Sequence, residues 1–393
     1  YYDVPQQELY CQLYGLPDLN QDNPFVREKL FDFARDLVWI HGFDGLRIDT
    51  VPYAEQSFWR AFDYAAQRAF TMGEVSSHEN NRVYSYVKTG TLNSIINYPL
   101  YYQLLNTFVG TNESVLMADG TENQNPNSML GLSSLIAEQR RLYGDEKVAV
   151  LGNFVECHDV DRLRHKTYDV ALRKAMLLYV LAAEGIPLIY YGEEQDLGMA
   201  SISAWGADAG RLPLWTTNFG TTSAPNGMYG FIARVNRLKK RMPAGDFQQA
   251  AQEELLATPD MYVFQRGQVV IALTNAGSGS GQVAYNVSTL RFAPGTMLCN
   301  IYNMADDCLT VGANGSLEIV VLDGEGKVYA PRVFALYSSY SLARWMVLLL
   351  VGFIAMLLVA FYVARRSRPA KGEQDETDST STSTEGSSPD DCL

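Results

Sequence analysis

Three carboxylates each close an apolar, strand-like run, in order along the chain. Asp49 ends GFDGLRID, Glu74 ends AFTMGE and Asp159 ends LGNFVECHD. If the strands lie parallel, their carboxyl ends share one rim, and side chains at that rim face a common opening. Acids gathered there repel one another, which drives their pKa values apart. One carboxyl held protonated beside another held ionised is what proton donation and nucleophilic attack at an acetal carbon require. Arg47 lies two residues before Asp49, so on a strand it shares that face, where a fixed guanidinium keeps the carboxylate ionised and oriented. Taken singly, an Asp at a strand end is ordinarily a turn or helix cap. The His158-Asp159 pair could equally be an isolated hydrogen bond or a metal site. With four His in the chain and no two at ligand spacing, His-rich metal chemistry is not expected.

The elements that must position these residues are legible as alternation. Asn23-Pro24 reads as a helix N-cap with proline at the first helical position, and Phe25, Val26, Leu30, Phe33, Leu37 and Val38 recur at helical spacing behind it. Ser57 to Phe70, PLYYQLLNTF and Val170 to Ala183 read as further helices. Between them stand five strand candidates: FDGLRID, FTMGE, NSIINY, VAVLGNFVE (148–156) and GIPLIYYGEE (185–194). Helix–strand alternation over residues 1–243 predicts an α/β fold of parallel strands joined by right-handed crossovers. From about residue 244 short β-rich runs divided by Gly, Asn and Asp predict a small antiparallel domain over 244–337. The GSGSG run, Gly277 to Gly281, lacks the strand–helix context of a phosphate loop and reads as a turn.

A hydrophobic fraction of 47% with 19% charged residues suits a globular chain, and a formal net charge of -13 argues against nucleic acid as a partner. The uncharged run Trp345 to Val363 predicts one transmembrane helix over 342–363. Arg365, Arg366, Arg368 and Lys371 follow it, which places the carboxyl side in the cytoplasm and the rest outside the cell or in a lumen. Residues 364–393, rich in Ser, Thr, Asp and Glu, read as a disordered tail. In such a compartment Cys299 and Cys308, close together in a strand-rich stretch, are expected to pair. Cys11 has no evident partner, and Cys157 reads as a buried thiol inside the FVECHD strand. Sequons stand at Asn112, Asn286 and Asn314.

The strings LPDLN (16–20), DGLRIDTV (44–51), GEV (73–75), NYPLYYQLLNTF (97–108), FVECHD and EGIPLIYYGEEQ (184–195) together resemble the α-amylase family of glycoside hydrolases, the fungal type in particular. The resemblance spans residues 9 to about 337. It implies a (β/α)8 TIM barrel, of which this chain would hold roughly strands four to eight, the amino-terminal part being absent and Cys11 having lost its partner with it. It further implies a retaining, endo-acting hydrolysis of α-1,4-glucosidic bonds in starch- or glycogen-type glucans. The roles it carries are nucleophile for Asp49, general acid and base for Glu74, and transition-state stabiliser for Asp159. Arg47, His158 and Arg211 would touch substrate or orient the acids. Family members hold a structural Ca2+, for which Asp18 and the main-chain oxygen of Tyr53 match two ligands; the remaining ligands would lie upstream, so the site is expected to be incomplete in this chain. Two departures stand out: Pro52-Tyr53 where the family commonly has Lys-His, and Cys157 where Asn is usual before the His. The other readings open at this point are an α-glucan transglycosidase, a catalytically silent amylase-like membrane ectodomain, and a slow, carbohydrate-binding surface protein.

Overall fold

Asn23 starts the first long helix: its side-chain oxygen accepts the Phe25 N–H at 3.0 Å, and Pro24 sits where a missing donor costs nothing. That helix, α1, runs Pro24–Trp39 in a computed structural model of the chain, which describes residues 5–67, 69–123, 126–199, 206–220, 227–243, 245–288, 291–339 and 350–359. Alternation follows: β1 (Gly45–Ile48), α2 (Gln56–Ala66), β2 (Phe70–Gly73), α3 (Asn80–Lys88), β3 (Ser94–Ile95), α4 (Tyr98–Val109), α5 (Met129–Tyr143), β4 (Gly152–Asn153), α6 (Val170–Ala182), β5 (Ile186–Pro187) and α7 (Met228–Arg241). β1 pairs parallel with β2 and β2 with β3, a parallel bridge from Ile96 to Gly152 carries the ladder to β4, and β4 pairs parallel with β5. Strands successive in sequence are therefore neighbours in space, and the result is a TIM-barrel-like arc of five strands with helices between them. Among the described residues, β1 pairs only with β2 and β5 only with β4.

The helical stripe of α1 is only half used. Ala34 is its one buried residue, whereas Phe25 and Phe33 are 67% and 57% exposed. Leu30, Phe33 and Leu37 of α1 and Trp59 of α2 line an apolar cavity of about 450 Å³ beside β1. The periodicity was legible in the sequence; how far it would be covered was not, because coverage depends on what packs against the helix.

Three expected strands shrink to two residues each: NSIINY to Ser94–Ile95, 148–156 to Gly152–Asn153, and 185–194 to Ile186–Pro187. Of residues 148–156 only Gly152 and Asn153 pair, and Asp145–Val148 is a helical turn that starts after Gly144 at φ 75°. The neighbouring strands offer two paired residues each at this point, so a longer ladder has no partners. Gly152 allows a close approach: a Cβ there would lie 2.8 Å from Met72 Sδ. Cys157 is accordingly not in a strand but in the turn beyond it, and it is half-buried.

Beyond Glu253 the chain is antiparallel, as its texture predicts. Strands β6 (Glu253–Ala257), β7 (Met261–Arg266), β8 (Val269–Thr274), β10 (Met297–Asn300), β11 (Cys308–Thr310) and β13 (Lys327–Pro331) form one sheet in the order β11-β10-β13-β8-β7-β6, while β9 (Gln282–Ser288) pairs with β12 (Ser316–Leu322). Met261, Val263, Val270 and Leu298 of the larger sheet share a core with Val287, Ile319 and Val321 of the smaller one. Alternation sends Tyr262, Phe264, Ile271 and Leu273 the other way, into the core built around α6 and α7. Cys299 and Cys308 stand opposite one another in the β10–β11 register and form the expected disulfide. Asn112, Asn286 and Asn314 are all exposed. The antiparallel texture stops earlier than 337: after Pro331 the chain enters helix α8 (Arg332–Ser339), whose Ala335 is fully buried in the α6–α7 core.

The residues from Tyr340 onward form a separate unit. They are described only at 350–359, which are helical and exposed. Among the described residues no helix is long and apolar enough to cross a membrane. The span expected at 342–363 extends past those residues on both sides, and the tail expected at 364–393 lies outside them.

Candidate active site

Asp49 and Glu74 each stand one residue beyond a strand. The ladder continues past the strand ends through Glu74 N–H to Ile48 O at 2.8 Å and Val51 N–H to Glu74 O at 3.1 Å, which fixes the two acids side by side. Thr50, directly after Asp49, is left-handed (φ 47°, ψ 44°), a costly conformation for a β-branched residue and one that persists where its surroundings impose it. Gly73 has no room for a side chain: a Cβ would lie 2.4 Å from Leu92 Cδ1 and 2.8 Å from Val51 Cγ2. The backbone around both acids is thereby locked by packing.

Arg47 joins the pair. One guanidinium nitrogen donates to Asp49 Oδ1 at 2.7 Å and the other meets Glu74 Oε1 at 2.9 Å. Tyr98, the first residue of α4, donates its hydroxyl to the same Oε1 at 3.0 Å. The two carboxyls also reach each other, and their proton affinities split. Burial pushes Glu74 up, the Asp49 carboxylate pushes further in the same direction, and Arg47 and Tyr98 oppose it. Asp49 is held below the usual carboxylate range chiefly by the hydrogen bond from Glu74, which its own burial opposes and to which the hydrogen bond and charge of Arg47 add. Glu74 is therefore the proton-bearing partner and Asp49 the anion.

Asp159 belongs to a second cluster that abuts the first. Its Oδ2 lies 3.0 Å from His158 Nε2, and its Oδ1 receives Arg211 at 3.0 Å. Arg211 also donates to the His158 carbonyl at 2.8 Å and pairs with Asp208. Cys157 Sγ accepts the Asp159 N–H at 3.4 Å and lies 3.9 Å from the Tyr98 hydroxyl. Arg47, Glu74, Tyr98, Cys157 and His158 line one cavity of about 200 Å³. All six residues singled out from the sequence at this rim, Arg47, Asp49, Glu74, His158, Asp159 and Arg211, thus fall in one connected constellation.

The catalytic-domain model of the alpha-amylase family matches residues 2–244. The chain belongs to the alpha-amylase family. It is 30% identical to alpha-amylase 2 of Schwanniomyces occidentalis over 325 residues, 81% of this chain and 58% of that protein. It is 27% identical to an alpha-amylase of Saccharomycopsis fibuligera over 323 residues, 82% of this chain and 59% of that one. An alpha-amylase from Malbranchea cinnamomea superposes with a TM-score of 0.73 at 26% identity, covering 86% of this chain and 67% of its own. The chain therefore spans under three-fifths of the length of these two yeast relatives.

Two members of the site escaped the sequence. Tyr98 was read only as the last residue of the strand candidate NSIINY; the strand ends at Ile95 and Tyr98 opens α4, three residues further on. Arg162 is fully buried, donates to Glu156 Oε1 at 2.8 Å, to Gly210 O at 2.8 Å and to Tyr191 O at 2.7 Å, and lies over the rings of Tyr190 and Tyr191. It ties the turn carrying His158-Asp159 to the segment carrying Arg211. Nothing in its sequence surroundings marks an arginine for burial.

The calcium expectation is of an incomplete site. Asp18 lines a surface cavity with Asn20, Asp22 and Glu55, next to the Tyr53 segment. Two oxygens fall short of the six to eight that Ca2+ takes. Among the described residues no three acidic side chains converge around Asp18. The residues present do not amount to a calcium site.

Proposed function

We propose that this chain carries the nucleophile and the acid of a retaining glycosidase acting within α-1,4-linked glucans. The observation that supports it most is the Asp49–Glu74 pair bridged by Arg47, one carboxyl protonated and one ionised. Carboxyls close enough to share a hydrogen bond fall on the retaining side of the division, at about 5–5.5 Å rather than the about 6.5–9.5 Å that leaves room for a water in inverting enzymes. In the first step Glu74 gives its proton to the glycosidic oxygen as that bond breaks, and an Asp49 oxygen bonds to the anomeric carbon. In the second, ionised Glu74 takes a proton from water, whose oxygen displaces Asp49 and restores the original configuration. Asp159, held by Arg211 and His158, supplies negative charge and hydroxyl contacts as the oxocarbenium character develops. Calcium enters none of these steps; Asp18 and the Tyr53 carbonyl remain the two oxygens that family likeness assigns to it. The uncharged run at 345–363 supports a membrane-anchored protein with the glycosidase outside the cytoplasm, and the exposed sequons agree with such a surface.

The stereochemistry tests the mechanism. Proton NMR of a blocked maltooligosaccharide during hydrolysis is expected to show the α-anomer of the product first, with the β-anomer appearing only by mutarotation. Initial release of the β-anomer would overturn the assignment of Asp49.

The split proton affinities predict a pH profile. Turnover needs Asp49 ionised and Glu74 protonated, so kcat/KM is expected to have its acid limb below 3.8 and its alkaline limb above 4.5. Tyr98 stabilises ionised Glu74 by donating to it, so Tyr98→Phe is expected to move the alkaline limb to higher pH and leave the acid limb in place. An alkaline limb that stays put or moves down would show that Tyr98 does not tune Glu74.

A further inference from the structure

Three consecutive residues of the turn after β4 offer three different donor types to one point. Cys157 Sγ, a ring nitrogen of His158 and a carboxylate oxygen of Asp159 all lie within 4.8 Å of one another, the only such group of acid, thiol and imidazole side chains among the described residues. Thiolate plus imidazole is the donor set that selects a borderline-soft cation over Ca2+ or Mg2+. From this convergence we propose that Cys157, His158 and Asp159 form a Zn2+ site in the wall of the cavity that also holds Glu74.

The geometry is close to what the ion takes. Bonds of about 2.0–2.1 Å from nitrogen and oxygen set tetrahedral neighbours about 3.3 Å apart. His158 Nε2 and Asp159 Oδ2 already stand at 3.0 Å, close to that spacing. The sulfur, which takes bonds of about 2.3 Å, lies within 4.8 Å of both. Arg211 occupies Asp159 Oδ1 and leaves Oδ2 to the ion, while its bond to the His158 carbonyl holds the turn in shape. Such a carboxylate-side and carbonyl-side support is the usual outer partner of a metal ligand. The cavity of about 200 Å³ has room for a water as fourth ligand. Arg47 and Arg211 are the cations that compete with the ion. Binding replaces the Cys157 S–H bond by a Zn–S bond and releases that proton to solvent, so the site fills more readily as pH rises. In the reading proposed above, an ion here would withdraw Asp159 and His158 from substrate. The coordination itself does not depend on that reading and is tested without any glucan.

The test uses the full chain with Cys11→Ser and Cys392→Ser, which leaves Cys157 as the one thiol outside the Cys299–Cys308 disulfide. Titration with Co2+, a spectroscopic stand-in for Zn2+, is expected to give a thiolate-to-cobalt charge-transfer band that saturates at one equivalent and is erased by Zn2+. In the same protein Zn2+ is expected to slow alkylation of Cys157 by iodoacetamide. His158→Ala and Asp159→Asn, each checked for fold by circular dichroism, are each expected to weaken the ion at least the about tenfold that loss of even a supporting partner costs. Absence of the band together with unchanged alkylation overturns the proposal. So does a band whose affinity is the same in both ligand variants, since the thiol would then be binding metal alone.

Discussion

Asp49→Asn is expected to reduce cleavage of a blocked α-1,4 oligosaccharide by about four orders of magnitude or more, a loss of about 5 kcal/mol of transition-state stabilisation. The amide is the same shape as the acid but lacks the charge that attacks the anomeric carbon, and Asp159 is engaged by Arg211 and His158 instead. Arg47 would keep a partner in Glu74, so the fold is expected to survive. Glu74 would lose the neighbouring charge that raises its pKa, and its proton affinity should fall accordingly. Rates of the two proteins, measured at saturating substrate and matched to their circular dichroism, check this directly. Trapping with a fluorinated glucoside adds a readout free of turnover. Mass spectrometry should find a glycosyl ester on the peptide containing Asp49 in the wild type and none in the variant. Equal rates, or an adduct elsewhere, would remove Asp49 from the nucleophile's role.

Arg162→Met is expected to be the most destabilising single change in the described structure. Arg162 has no exposed surface, and its loss leaves the Glu156 carboxyl, itself almost wholly buried, without its cation. Removing one member of a buried ion pair costs about 3–5 kcal/mol, against a typical domain stability of about 5–15 kcal/mol. Burial already pushes Glu156 up, so in the variant it should respond by taking a proton. Denaturant midpoints measure the loss. The double variant Arg162→Met with Glu156→Gln is expected to recover part of it, because the orphaned charge is gone. If the single variant unfolds at the wild-type midpoint, the ion pair is not holding the turn that carries His158 and Asp159.

These two residues mark what a sequence can and cannot reveal about this site. Asp49 and Glu74 were legible because a strand fixes where its last residue points, and both follow strands with two-residue periodicity and glycine or arginine support. Asp159 was legible as the end of an apolar run, but the strand expected to place it is mostly absent. Its strand is two residues long, and five residues outside any strand separate Asn153 from the acid. Arg162 was hidden because burial of a guanidinium depends on three segments distant in sequence, Glu156, Tyr191 and Gly210, meeting around it. Tyr98 was hidden in the same way, since its bond to Glu74 spans two strands of the arc. The disulfide was readable from proximity in sequence and strand texture, which together put Cys299 and Cys308 on neighbouring rungs.

Strands β7 and β8 are buried on both faces, with every residue of each below the surface. One face closes the antiparallel core and the other closes the helical core behind the strand arc. Arg266, at the end of β7, reaches across to the carbonyls of Ala182 and Ala183 at the end of α6. Neither layer can melt without stripping a wall from the other. Heat or denaturant should accordingly collapse residues 5–339 in one cooperative step, and a protease cut between the two layers would leave each piece with a bare apolar wall. The rim that carries Asp49 and Glu74 and the sheet that holds no part of it share one thermodynamic fate.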